Sequence, residues 1–105
     1  MQKLIFEVTN NDMSPYLTRG DSVTYELIKD LRLYNSVYVV ILNNIKMVVR
    51  VQVLMRGGIR IIFDSDKTNF IQLDKEQLQN LIVIGHVTGR IKKSGEHIKG
   101  YSLYS

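Results

Sequence analysis

The chain has no cysteine and a single proline among its 105 residues. Without cysteine there is no disulfide, no thiolate nucleophile and no cysteine-bound zinc. The lack suits a reducing cytoplasm, which is the expected location. Pro15 has no backbone N–H to donate, so the stretch around it is kept out of any central strand. No apolar run approaches the roughly 18 residues that a membrane-spanning helix requires. Met1-Gln2-Lys3 leads directly into a short strand pattern rather than a signal-peptide layout. Phosphate-cradling loops are missing as well, since Gly57-Gly58 is followed by neither lysine nor a helix pattern. No helix longer than about two turns can be read.

What is present is an ordinary globular composition, 45% hydrophobic, long enough for one domain with its own core. The net charge is +4, and much of the excess sits near the end, at Arg90, Lys92, Lys93 and Lys99 against Glu96. That places a domain over residues 1–93 and a basic tail over 94–105, read as a solvated end or a DNA contact.

Turn chemistry divides the chain into strands. Lys3 to Thr9 reads as a first strand and Ser22 to Leu27 as a second, separated by a turn-rich stretch from Asn10 to Gly20. Ser14-Pro15-Tyr16-Leu17 suits one helical turn with proline at its first position. Ile28 to Asn35 fits a short helix with Leu27, Leu31 and Tyr34 on one face, or a loop. Ser36 to Leu42 is a β-branched run, and Asn43-Asn44 then tolerates the positive φ of a two-residue hairpin turn into Ile45 to Met55. Gly57-Gly58 turns the chain again into Ile59 to Phe63, completing an antiparallel meander. A polar loop over Asp64 to Asn69 leads to a short strand, Phe70 to Leu73, and Asp74 caps a turn through Leu78. Leu81 to Lys92 is the last long strand, with Gly85 and Gly89 marking bulges or a bend. The expected class is mainly β.

Side chains with chemical potential are few. His86 falls in a strand pattern and His97 in the polar tail, without a close histidine partner, so both read as structural or surface residues. Asp64-Ser65-Asp66 with Asn69 resembles the opening of a calcium loop, but Asn69 and Lys75 stand where glycine and a bidentate glutamate are needed. Lys46 and Arg50 share one face of their strand, with Met47, Val49 and Val51 on the other. No metal or cofactor is expected.

Taken together, the segments resemble the C-terminal domain of LexA and lambda-type phage repressors, a self-cleaving serine peptidase family related in fold to signal peptidases. The family motif Gly-Asp-Ser-Met-x-Pro, followed by Gly-Asp, is matched by Asn10-Asn11-Asp12-Met13-Ser14-Pro15 and Gly20-Asp21. A second Gly-Asp is replaced by Asn35-Ser36 before Val37-Tyr38-Val39-Val40. The Val-Lys-Arg strand is matched by Val48-Val49-Arg50, and a loop of the Ser-x-Asn-x-x-Tyr type resembles Asp64-Ser65-Asp66-Lys67-Thr68-Asn69-Phe70. Val83-Ile84-Gly85-His86-Val87 matches the closing Val-Ile-Gly-x-Val.

Carried over, the resemblance puts the nucleophile at Asp12 and the general-base lysine at Val49, so both members of the dyad are replaced. Asn11, Met13, Ser14, Pro15 and Arg50 would line a vestigial cleft. Asp12 then reads as a turn residue, as an ion-pair partner of Arg50 or Lys46, or as an acid in a changed chemistry. The implied function is a non-catalytic oligomerisation and regulatory domain of a phage-type transcription regulator. It would form homodimers through the last long strand, with Ile82, Ile84, His86, Val87 and Ile91 at the interface. DNA would be bound indirectly, through an N-terminal helix-turn-helix domain that these residues do not contain; no membrane or small-molecule substrate is implied. Two other readings stay open: a peptidase with a displaced dyad at Ser14 and Lys46, and a basic β-domain binding nucleic acid directly.

Overall fold

A computed structural model describes residues 4–28, 32–95 and 97–99. They form strands β1 (Leu4–Glu7), β2 (Ser22–Leu27), β3 (Ser36–Leu42), β4 (Ile45–Val53), β5 (Ile59–Phe63), β6 (Asp66–Leu73), β7 (Ile82–Ile91) and β8 (His97–Lys99). One antiparallel sheet runs in the order β1-β2-β7-β3-β4-β5-β6, and β8 joins it beside the end of β7. The class is mainly β, with a single 3-10 turn at Gln77–Asn80 among the described residues.

Local chemistry explains the meander from β3 to β6. Asn43 and Asn44 take φ values of 52° and 66°, so Leu42 faces Ile45 across a tight turn whose twist matches the strands. Gly57 and Gly58, at φ 83° and 89°, turn β4 into β5 where a side chain would be strained. Asp74 and Gln77 exchange side-chain bonds with each other's amides, at 2.7 and 3.0 Å, which opens the 3-10 turn.

Three expectations change in detail. β6 starts at Asp66 rather than Phe70, because the Asp66 carboxylate gathers the Thr68 amide and hydroxyl and the Asn69 side chain. That bulges residues 67–69 out between the pairs Phe63–Asp66 and Ile62–Phe70. At residues 14–17 one hydrogen bond, Leu17 N–H to Met13 C=O at 2.8 Å, closes a lone turn, and the Ser14–Pro15 bond is cis. Between β2 and β3 the described residues are irregular, and Leu31 lies outside them.

Alternation along β3 and β4 gives the sheet two buried faces. Val37, Val39 and Val48 belong to the first, with Val23, Tyr25 and Val87, and the turn between β1 and β2 covers it with Met13, Tyr16 and Leu17. Tyr38, Val40, Val49, Val51, Ile59 and Ile61 form the second, covered by Leu33, Leu78 and Leu81.

β7 is an interior strand. One edge pairs with β2 from Gly85 to Ile91, and the other with β3 from Ile82 to His86 and then with β8. The register slips beside both glycines, at Thr24/Tyr25 and at Val39/Val40, which are the bulges their spacing suggests. The homodimer expected through this strand is therefore not an edge-to-edge pairing over Gly85–Ile91, where β2 lies on one side and β3 and β8 on the other. Val87 is fully buried, Ile84 packs on the first cluster, and Ile91 faces Ser22 and His97. Of Ile82, Ile84, His86, Val87 and Ile91, Ile82 alone is broadly exposed.

Candidate functional site

The turn from Asn10 to Gly20 is anchored before it reaches the sheet. Asn10 and Asn11 accept the amides of Asp12 and Arg19 on their side chains, at 3.0 and 2.8 Å. The Val8 amide donates to the Asp21 carbonyl and the Gly20 amide to the Val8 carbonyl, which closes the base of the loop. Met13, Tyr16 and Leu17 then bury themselves on the first face.

Tyr16 is the centre of what gathers there. The guanidinium carbons of Arg90 and Arg50 lie 4.5 and 5.4 Å from its ring centroid. Its carbonyl accepts from Arg90 Nη1 at 2.6 Å and from Lys92 Nζ at 3.3 Å. Arg50 forks onto Asp64, with Nε and Nη2 each 2.8 Å from a carboxylate oxygen. The neighbouring Ser65 amide donates to the Asp12 carbonyl at 3.0 Å. Asp21 closes the cluster, accepting the amides of Thr18 and Lys93 and facing Lys92 Nζ at 3.4 Å. Burial works to raise the Asp21 carboxyl. The two amides, the Lys92 charge and the Thr18 hydroxyl outweigh it and hold the group below the usual carboxylate range.

Residues distant in sequence thus converge: the turn at Asp12, Arg50 on β4, and Asp64-Ser65. Val49 does not join them. It is fully buried in the second cluster, on the face of the sheet opposite the turn. Arg50 turns its charge to Asp64, so the Asp12–Arg50 pairing is replaced by an Arg50–Asp64 pair. Lys46 does share the face of the turn, but its Nζ bonds the Tyr25 hydroxyl at 3.3 Å and lies 5.1 Å from the Phe6 ring centroid. Asn11 acts through its side-chain oxygen on Arg19, Met13 through burial, and Ser14 through its amide on the Asn11 carbonyl.

A second cluster was not legible in the sequence. Ser36 Oγ and His86 Nε2 lie 2.7 Å apart although fifty residues separate them. Cross-strand register makes Tyr38 and Glu26 the neighbours of His86 on either side. Burial pushes the His86 imidazole down from its ordinary value, and Glu26 opposes this only in part. The distance is that of a hydroxyl and its base. Ser36 is nevertheless buried at the start of β3, which keeps a substrate carbonyl from its hydroxyl.

No family model and no curated protein matches this chain. Among the described residues no helix is long and apolar enough to cross a membrane, and no three His, Asp or Glu side chains gather as metal ligands. The Asp66 carboxylate is instead held below the usual range, chiefly by the Thr68 hydroxyl.

Proposed function

We propose that the chain is a non-catalytic, LexA-like oligomerisation and regulatory domain of a phage-type transcription regulator. One observation carries the reading: the 10–20 turn, Arg50 and Asp64-Ser65, all within segments that resemble the repressor motifs, meet around Tyr16. Aspartate and valine stand at the two dyad positions, Asp12 and Val49. Arg50 is permanently protonated and Asp64 is bound to it, so neither serves as a base for a hydroxyl near Asp12. With Lys46 drawn toward Tyr25 and Phe6, a displaced Ser14–Lys46 dyad has little support. Arg90 and Lys92 are spent on the Tyr16 carbonyl, which weakens the reading of their cluster as a DNA contact.

The value of such a domain is avidity. Joining two weak half-site contacts makes the second one intramolecular. Placed behind a helix-turn-helix domain that needs dimerisation to hold its operator, the chain should restore operator occupancy. Failure of a well-expressed fusion to do so overturns the proposal. So does self-cleavage at alkaline pH, read by intact mass and abolished by Ser14→Ala.

A further inference from the structure

Among the described residues β6 pairs with β5 on one side only, so the sheet ends there in an open edge. Proteins ordinarily blunt such an edge with charge, proline or a bulge. Here the bulge is confined to residues 67–69, and Phe70-Ile71-Gln72-Leu73 is regular, uncharged and free of proline.

The second core runs out to this edge. Register puts Val51, Ile61 and Ile71 in one row and Val53, Ile59 and Leu73 in the next. Along the first row exposure goes from 1% at Val51 and 0% at Ile61 to 36% at Ile71, which is covered on one side only. Val53 and Met55 are exposed at the same end. On the opposite face the Arg60 guanidinium lies 4.2 Å from the Phe70 ring centroid, and its buried Nε has no hydrogen-bond partner.

We infer that the occupant of this edge is β6 of a second copy, antiparallel about a two-fold axis at Gln72. In that register the strand is complementary to itself, as an isologous interface requires. Gln72 faces its own copy and Ile71 faces Leu73 of the second copy. The row Val51–Ile61–Ile71 therefore continues into Leu73, Ile59 and Val53 across the axis, and both core rows become unbroken. On the other face Phe70 meets Asp74 of the second copy, which brings a carboxylate to the Arg60 guanidinium. This contact is made twice, once on each side of the axis. The inference rests on the oligomerisation reading and gives it a place.

Facing residues in an antiparallel pair have Cα atoms about 4.5–5.5 Å apart, within the span a disulfide bridges. Gln72→Cys introduces the chain's only thiol. Mild oxidation should convert nearly all of that variant to a covalent dimer, whereas Ile45→Cys, exposed at the β3–β4 turn, should stay monomeric on denaturing gels. In sedimentation equilibrium the native chain should weigh twice 12.2 kDa at tens of micromolar, and Ile71→Lys 12.2 kDa. If Ile71→Lys does not fold, the cysteine pair decides alone. A native dimer with Gln72→Cys left reduced overturns the β6 edge and leaves the oligomerisation reading standing. A native monomer at tens of micromolar overturns both.

Discussion

Asp21 shows how a sequence signature acts without chemistry. It is 1% exposed, and its oxygens receive two backbone amides, a hydroxyl and the Lys92 ammonium, tying the end of the 10–20 turn to the end of β7. The amides matter most, because Lys92 is partly solvated and its charge correspondingly screened. Asp21→Ala leaves those amides buried and unpaired and should cost about 3 kcal/mol in urea unfolding. A cost below about 1 kcal/mol would mean the turn is held elsewhere. The lowered pKa gives this group stability at neutral pH that is lost only as pH falls below the ordinary carboxylate range. His86 acts in a milder range. Its folded pKa is depressed, so the unfolded chain binds the proton more readily and stability should decline as pH drops below about 6.5. Glu26 on β2 limits the effect, while Ser36 and Tyr38 on β3 supply no charge. Unfolding free energy at pH 7.5 should exceed that at pH 5.5, and His86→Asn should flatten the difference. An unchanged slope in the variant would assign it to another group.

At the scale of elements, the turns carry the design. Gly85 sits where β7 leans on β2: a Cβ there would fall 2.6 Å from the Glu26 carbonyl oxygen and against the Tyr25 ring. Backbone cannot step aside as a flexible side chain can, so Gly85→Ala should cost about 3 kcal/mol. Gly95→Ala meets open space and carries only the strain of φ 96°, about 1 kcal/mol. Comparable losses at the two positions, measured by thermal unfolding, would contradict this account. Strands bounded by such residues were legible in the sequence: β2, β3 and β5 begin and end where Gly20-Asp21, Asn43-Asn44 and Gly57-Gly58 predict. What escaped depends on partners far along the chain. Nothing in the spacing of Ser36 and His86 says that β3 and β7 lie side by side, and the place of β7 inside the sheet rather than at an edge is set by β2 returning to it. The sequence singled out the turn around Asp12 and Arg50, which the fold brings to one side of the sheet, but not the Arg50–Asp64 pair that forms there. The centre of the site was not legible, because Tyr16 reads as a turn aromatic until Arg50 and Arg90 are seen against its ring.

For the whole molecule, the question is whether a second copy is needed for folding or added to it. The Cα radius of gyration is 13.2 Å, close to the roughly 13 Å of a compact domain this long, and both faces of the sheet have their own buried cluster. A monomer therefore has the means to fold, and pairing through β6 would act by mass action on a chain already folded. Unfolding would then release two chains, so a hundredfold rise in concentration above the dissociation midpoint stabilises each by about 1.4 kcal/mol. For a domain of this size that is roughly 5 °C in Tm. Scanning calorimetry should show this rise for the native chain, and Ile71→Lys should melt at one temperature throughout. Ile82→Asp should keep the concentration dependence, because Ile82 is exposed at the start of β7, away from the open edge. Loss of the dependence in Ile82→Asp and its survival in Ile71→Lys would move the interface to β7. In that arrangement the contact would be made by a face of the sheet or by Ile82–Ile84, because β2, β3 and β8 flank the strand from Gly85 to Ile91.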